Sequence, residues 1–351
     1  MKQKGGGLTM VDVTIRGAGI FGLACAWACA KRGASVRVVD PHGVGAGSSG
    51  GIVGALAPHV PENWNEKKAF QFESLRMAEP FWAEVANVGG GDPGYARTGR
   101  LQPVADEAAL GLAQARAISA ADLWQGFAEW TLERGAQGWA PASPTGWVIR
   151  DTLTARLHPR NACEALARAV VALGGQIEAE APDEGHVLWA TGWRGLEALS
   201  EALARPVGNG VKGQAVLLRH DARNAPQLFV DGLHIVPHAD GTVAIGSTSE
   251  REFSDPSSVD AQCDALLTRA REALPLLRDA EVLERWAGVR PRARSRAPML
   301  GQHPVHEGAF IANGGFKIGF GMTPAVAEVM ADLMLDGNDR IPVGFRVEAS
   351  L

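Results

Sequence analysis

The stretch from Val11 to Asp40, "VDVTIRGAGIFGLACAWACAKRGASVRVVD", constrains the fold more than any other part of the chain. "VDVTI" and "SVRVVD" are short β-branched runs, and "LACAWACAKRG" is a nearly all-apolar helical segment closed by Gly33. Strand, helix and strand within about thirty residues make a βαβ unit, whose parallel strands need cover on both faces. Between the first strand and the helix, Gly17, Gly19 and Gly22 spell GxGxxG. The first glycine permits a tight turn, the second lets a pyrophosphate approach the backbone, and the third lets helix pack on strand. The free N–H groups and the dipole at the helix start favour phosphate charge. Asp40 closes the second strand, where a carboxylate accepts hydrogen bonds from a ribose. A dinucleotide site is therefore expected from Gly17, Gly19, Ile20, Phe21, Gly22, Asp40 and Pro41, the alternative being a merely structural turn. These residues do not separate NAD from FAD. The following "GVGAGSSGGIVGALAP" is too rich in glycine and serine for a regular element. It suits a backbone running close along an extended cofactor, or else a flexible turn.

Further along, "HPRNACEALARAVVALGG" reads as a helix, with Ala162, Leu166, Ala169, Val170 and Leu173 on one stripe and Gly174 beyond its end. "HVLWATG" reads as a buried strand ending at a glycine turn. The segments "GVKGQAVLLR", "QLFVDGLHIVPHADGTVAIGSTSE" and "AEVLERWAGVRP" read as strands joined by turns, an antiparallel pattern. In "TPAVAEVMADLMLDG", Thr323 suits an N-cap, Pro324 the first helical position and Gly337 the end. The βαβ-type pieces lie at the start, middle and end of the chain. One Rossmann-like nucleotide domain is thus expected from the discontinuous segments 11–80, 140–205 and 286–351. An α+β substrate domain with an antiparallel sheet takes 81–139 and 206–285, and 1–10 forms a loose leader. The fold class is α/β.

Composition narrows the partners. A net charge of −5 over 351 residues gives no global field for nucleic acid or anionic lipid. No apolar stretch suits a signal or a membrane span. The four cysteines, Cys25, Cys29, Cys163 and Cys263, include no CxxC pair and read as buried free thiols in a reducing cytoplasm. His59, His158, His303 and His306 lack metal-ligand spacing, so no metal is expected. The oligomeric state stays open, a homo-oligomer included.

In "WAGVRPRARSRAPMLG" four arginines alternate: Arg290, Arg292, Arg294 and Arg296. The row can be a basic strip, a solvated loop, or the frame around one arginine that grips an anion.

The ordered set GxGxxG, "GSSGGIVGALAP", "VLWATG", "VPHADGTVAIGSTSE", "WAGVRP" and "ANGGFKIGFGMTP" resembles the D-amino acid oxidase superfamily of FAD enzymes along nearly the whole chain. Within it the resemblance is greatest to glycine oxidases of the thiamine-pathway type. It implies a two-domain flavoprotein with noncovalent FAD. Ser48, Ser49, Gly50 and Gly51 then contact the diphosphate and ribityl part, and Ile52, Val53 and Gly54 lead toward the flavin ring. Ala190, Thr191 and Gly192 form a second cofactor turn. Gly315, Lys317, Ile318, Gly319, Phe320, Gly321 and Met322 pass the ring edge. The helix that follows would present its positive end to the flavin.

The same resemblance gives Arg290 the substrate carboxylate, which a guanidinium holds in a planar two-pronged grip. The alternative is a structural ion pair. Arg292, Arg294 and Arg296 are expected to be solvated or paired with surface acids, or else one of them strengthens the anion preference of the pocket. His234 falls where relatives carry a substrate-touching tyrosine, and is otherwise structural. Ser249 follows the strand at a substrate-facing position. Lys317 stands where glycine oxidases show an arginine, keeping the charge but losing the fork. The family's strand pair near the adenine is shortened here, within 176–188. The implied reaction is oxidative deamination of a small amino acid or amine by hydride transfer from the α-carbon to flavin N5. Oxygen or another acceptor takes the electrons. A D-amino acid or secondary-amine dehydrogenase, or a flavin-binding scaffold without turnover, are the alternatives.

Overall fold

Residues 11–135 and 137–351 are described by a computed structural model of the chain; the expected leader, 1–10, lies outside them. The chain starts with β1 (Val13–Arg16), α1 (Ile20–Lys31) and β2 (Val36–Val39). Then come β3 (Ala55–Leu56), α2 (Glu66–Gly89), β4 (Arg100–Pro103), α3 (Glu107–Leu123) and β5 (Trp130–Arg134). They are followed by β6 (Trp147–Asp151), β7 (Ala155–Arg156), α4 (Pro159–Ala172), β8 (Gln176–Glu178) and β9 (His186–Trp189). The next elements are α5 (Gly192–Ala202), β10 (Gly208–Arg219), β11 (Gln227–Val230), β12 (Leu233–Pro237) and β13 (Thr242–Gly246). The chain closes with α6 (Ala261–Ala273), β14 (Glu281–Ala293), β15 (Met299–Gln302), β16 (Phe310–Asn313) and α7 (Gly319–Asp336).

The βαβ unit forms as its sequence dictates. β1 and β2 pair in parallel, Val13 opposite Val36, and β8 extends them beyond β2. On the other flank β9 lies beside β1, tied by His186 N–H to the Asp12 carbonyl and Ala190 N–H to the Arg16 carbonyl, both at 2.8 Å. β9 in turn pairs in parallel with β16, which pairs antiparallel with β15. α1 is buried from Ile20 through Ala30, as an apolar helix without a polar face must be. Ala24, Trp27 and Cys29 share one core with Ala162, Leu166 and Val170 of α4 and Met322, Val326 and Met330 of α7. All four cysteines are buried and free. Burial pushes the Cys29 and Cys163 thiols up to about 12.

The second layer is an eight-stranded sheet in the order β14-β10-β13-β12-β11-β4-β6-β5. Every neighbouring pair is antiparallel except β11 with β4. Its strands lie within 100–151 and 208–293. α6 covers one face through Cys263, Leu266, Leu267 and Ala270, which pack on Val216, Leu218, Ile235 and Ile245. No helix among the described residues is long and apolar enough to cross a membrane.

Three expectations need correction. α7 starts at Gly319, four residues before Thr323, with Ile318 at its cap position. Thr323 lies inside the helix and donates its hydroxyl to the Gly319 carbonyl at 2.8 Å, and Pro324 is an interior residue. Proline is tolerated this near the start because only one early ladder bond is lost, and the hydroxyl–carbonyl bond spends a polar group that a cap would have used. In β9 only Leu188 is fully buried: Val187 and Trp189 on the opposite face are half-buried, and His186 at the strand's start is exposed. Leu173 ends the α4 stripe 43% exposed, since it is the C-cap residue and no longer follows the helical face.

Candidate functional site

The glycine turn is built by contact with backbone. Gly17 has φ +112°, and a Cβ there would stand 2.4 Å from the Ala190 carbonyl oxygen. This is how the glycine turn after β1 and the Ala190–Gly192 turn are pressed together. At Gly22 a Cβ would lie 1.9 Å from the Gly17 oxygen, so only glycine lets α1 start where it does. The first-turn N–H groups of a helix have no partner within it. Here Ile20 N–H is met by the Ser49 hydroxyl at 3.0 Å, which brings the serine-glycine loop onto the helix start. Asp40 accepts from Ala18 N–H through Oδ2 and from His42 N–H through Oδ1, both at 2.9 Å. Each carboxylate oxygen retains a second lone pair, which is what a ribose hydroxyl needs. Pro41 beside it is exposed.

The loop from Ser48 to Gly54 is gripped from outside. Arg160 on α4 donates through Nε to the Gly50 carbonyl at 2.8 Å, and its Nη atoms form a two-pronged bond to Glu284 of β14 at 2.6 and 2.8 Å. His238, at the end of β12 and 1% exposed, bonds the Ile52 carbonyl through Nε2 at 2.8 Å. Gly51 faces the Trp286 ring, 3.2 Å from where a Cβ would be. Val53 packs on Gly246 of β13, and Gly54 lies against the Leu157 carbonyl too closely for any side chain. His238, Arg160 and Trp286 were not singled out from sequence. Each lies far along the chain from the loop it holds, and no local pattern marks them.

At the other end, Gly315 is wedged between Phe21 and Gly319, a Cβ there standing 2.9 Å from atoms of both. Ile318 N–H donates to the Gly315 carbonyl at 3.0 Å and Met322 N–H to Ile318 at 3.0 Å, so the turn runs directly into α7. Met322 is fully buried, Gly321 lies near Leu75 and Gln71, and Phe320 is half-buried. Asn313, 3% exposed, ties this turn to the second one by donating to the Gly192 carbonyl at 2.9 Å. The elements expected to meet a cofactor thus converge: the N-termini of α1 and α7, the loop at 48–54 and the turn at 190–192. The donors suit a dinucleotide: unpaired helix-start amides for the diphosphate, a carboxylate for the ribose, and glycines where backbone must approach closely.

Arg290 stands on β14, in the large sheet. Its Nη1 donates to Ser247 Oγ at 2.6 Å, and its Nη2 donates to the carbonyls of Thr248 at 2.8 Å and Lys212 at 3.2 Å. Ser249 Oγ is 3.4 Å from Nη2, and Ser249 itself is exposed. Burial pushes the guanidinium down to about 10, with Glu250 acting in the opposite direction. Among the described residues Arg290 forms no ion pair; Glu250 is instead paired with Lys212 at 3.8 Å. The structural ion pair weighed for Arg290 is therefore absent there. Gly213 on β10 leaves the guanidinium its space, since a Cβ would stand 2.6 Å from Nη2. Arg290, Arg292 and Lys317 lie 5.4, 5.6 and 5.8 Å from the centre of the Phe316 ring. Lys317 is exposed as a residue, but partial desolvation of its ammonium group, followed by the Arg290 charge, lowers its pKa. His234 is pushed down to about 3 by burial and then by Arg100 and Lys317, so it is neutral. Its ring lies 4.7 Å from that of Phe229, and its Nδ1 finds no partner among the described residues.

The remaining arginines separate. Arg292 is half-buried, on the same strand face as Arg290 two residues away. Arg294 and Arg296 are exposed: Arg294 donates to the Leu351 carbonyl at 3.1 Å, and the Arg296 carbonyl accepts from Lys67. The expected pairing with surface acids is not found for these three among the described residues.

Known proteins share this fold. The chain is 27% identical over 375 aligned positions to the glycine oxidase of Geobacillus kaustophilus, covering 92% of each chain. It is 28% identical over 358 positions to the bifunctional protein ThiO/ThiG of Synechocystis sp., covering 93% of this chain and 52% of that one. The crystal structure of glycine oxidase from Geobacillus kaustophilus superposes with a TM-score of 0.82 at 22% identity, covering 97% of this chain and 99% of the other. That of iminodiacetate oxidase from Chelativorans sp. BNC1 superposes with a TM-score of 0.81 at 21% identity, covering 94% and 97%. These two likenesses show the fold. The sequence pattern described as DAO, FAD dependent oxidoreductase, matches residues 12–333. The convergence of helix starts and glycine turns on one groove is thus that of a flavoenzyme, and the chain belongs to the DAO family of FAD dependent oxidoreductases.

Proposed function

We propose that this protein oxidises a small amino acid or secondary amine of the glycine or sarcosine kind, with FAD held noncovalently. The observation that carries the reading is Arg290: a half-buried guanidinium bonded to neutral oxygens and without an acid partner among the described residues. A desolvated positive charge left this way is stabilised by an incoming carboxylate. FAD supplies the acceptor for the hydride that leaves the substrate α-carbon.

The protein's own work is positioning. Arg290 fixes the carboxylate, with Lys317 adding charge beside it, and Ser249 borders the guanidinium. His234 lines the pocket as a neutral ring and adds no further cation. Alignment in a closed site then lowers the barrier without an acid–base pair. The substrate must present a neutral amine, whose lone pair becomes the imine π bond as the hydride leaves. Water converts the imine to an oxo acid and an amine or ammonia. The two electrons end on oxygen as peroxide, or on another acceptor.

The glycine oxidases and ThiO/ThiG among its relatives support a place in thiamine biosynthesis. We assign segments 11–80, 140–205 and 286–351 to FAD and 81–139 and 206–285 to substrate, except that β6 and the end of β14 with Arg290 belong to the large sheet and go with the substrate layer. Four buried thiols fit a reducing compartment, and we place the protein in the cytoplasm. Incubation with glycine and sarcosine in air tests the reading: oxo acid and peroxide should accumulate together. A flavin-loaded protein that yields neither product from any small amine contradicts it.

A further inference from the structure

The cations at the pocket outnumber what one carboxylate requires. Arg290, Arg292 and Lys317 surround the Phe316 ring within 6 Å of its centre. Arg290 and Arg292 are half-buried, Lys317 reaches in from the exposed side, and none of the three forms an ion pair among the described residues. Glu250, whose charge acts on Arg290, is spent on Lys212, on the Thr248 hydroxyl and on Gln214 at 3.1 Å. The backbone explains the juxtaposition. Arg290 and Arg292 share a face because they are two apart on β14, and Phe316 N–H donates to the carbonyl of the intervening Pro291 at 2.9 Å. That bond pins the Phe316–Lys317 turn across both arginines. Like charges gathered around one ring repel, and partial desolvation plus Arg290 already lowers the Lys317 pKa. A single carboxylate on Arg290 leaves two positive charges uncompensated, a cost that a second carboxylate removes.

We propose that Lys317 and Arg292 form a subsite for a second carboxylate, so that the substrate class is a dicarboxylic amine, such as an N-carboxymethyl amino acid. The inference rests on the reading of Arg290 as the clamp for the first carboxylate. It also separates the alternating arginines of β14 from those of the following loop: Arg290 and Arg292 serve the pocket, Arg294 and Arg296 the surface. The aromatic face between the cations suits the methylene spacer of such a ligand, which is apolar between two charged ends.

Two inert ligands test it on the FAD-loaded protein. Thiodiacetate and (methylthio)acetate differ by one carboxylate, and neither carries an amine to be oxidised. Calorimetric titration should show thiodiacetate binding about tenfold or more tightly, the effect of one added charge-assisted contact. The ratio should shrink toward one in Lys317→Gln, fall partly in Arg292→Gln, and decline with added salt. Equal affinity for the two ligands, a ratio unchanged in both variants, or binding of neither ligand overturns the subsite. Oxidation of sarcosine and of N-carboxymethylglycine is followed separately. If sarcosine is oxidised but the ligand ratio is one, the subsite is wrong and the amine oxidation stands. If thiodiacetate binds with the expected ratio but no amine is oxidised, the subsite stands and the reaction is wrong.

Discussion

His238 and Ile52, 186 residues apart, are joined by one buried hydrogen bond: the Nε2 hydrogen of the histidine goes to the Ile52 carbonyl at 2.8 Å. A carbonyl only accepts, so the proton on Nε2 is fixed by its partner. The bond fastens the loop at 48–54 to the end of a strand in the other layer. Leucine at 238 fills similar space without a donor and leaves a buried carbonyl unpaired. His238→Leu should cost about 1–3 kcal/mol of stability. It should also make the protein shed FAD more readily on gel filtration. His238→Gln, which can present an amide donor near Nε2, should recover most of both. Equal losses in the two variants would show that the ring's packing matters and the bond does not.

Gly213 offers a way to move Arg290 without touching it. A methyl group there would stand 2.6 Å from Nη2, the far end of a side chain that can shift. Gly213→Ala should therefore fold, bind FAD, and raise KM for amino acid substrates about ten- to hundredfold, as loss of an aligned charged hydrogen bond does. Steady-state kinetics with sarcosine would check this. An unchanged KM would mean that the carboxylate does not depend on the position of this guanidinium.

Gly22→Ala is a harsher change, because the added carbon would stand 1.9 Å from a backbone oxygen that has no rotamer to escape through. The strand–helix turn must open. The expected result is loss of FAD binding with a stability cost of roughly 1–3 kcal/mol or more. Thermal unfolding with and without added FAD gives the readout: the cofactor-induced rise in Tm should vanish. A variant that still gains thermal stability from FAD would contradict the packing argument.

The buried histidines predict acid sensitivity with a definite sign. His238 is pushed down to about 4 from 6.5, first by burial and then by His158 beside it. Between those values the unfolded chain binds a proton that the fold refuses, so stability rises with pH across the window. The contribution is whole above pH 6.5 and is lost as pH falls toward 4. Carboxylates paired with arginine, such as Glu62 and Glu284, are lowered from 4.5 and give way only below that value. Tm should already fall between pH 6.5 and 4.5, and His238→Gln should flatten the slope. Parallel slopes in the two proteins would remove His238 from the titration.

Local patterns in the chain disclose what local physics decides. The βαβ unit, the α4 stripe from Ala162 to Val170 and the antiparallel run from β10 to β14 follow from residue periods and turn chemistry, and all of them form. The start of α7 does not follow from its best capping residues, because backbone packing at Gly315 and Gly319 sets it four residues earlier. The glycines of the cofactor groove are visible by type, but their close contacts, such as Gly17 with Ala190, are tertiary. Of the candidate pocket, Arg290 stands out by its signature. Gly213, Phe316 and His238 do not, since each matters only through a partner that folding brings from elsewhere: Arg290 for Gly213, the three cations for Phe316, Ile52 for His238. The closeness of Arg290 and Arg292 to one Phe316 ring is likewise invisible until strand and turn are brought together.

The most direct measurement is anaerobic mixing of the FAD-loaded protein with glycine, sarcosine and N-carboxymethylglycine while the visible flavin band is followed. The band should bleach with at least one of them in wild type, and far more slowly at the same concentration in Arg290→Ala. A band that every amine leaves untouched, or that bleaches equally in the variant, would contradict a site in which Arg290 presents an amino acid to the flavin.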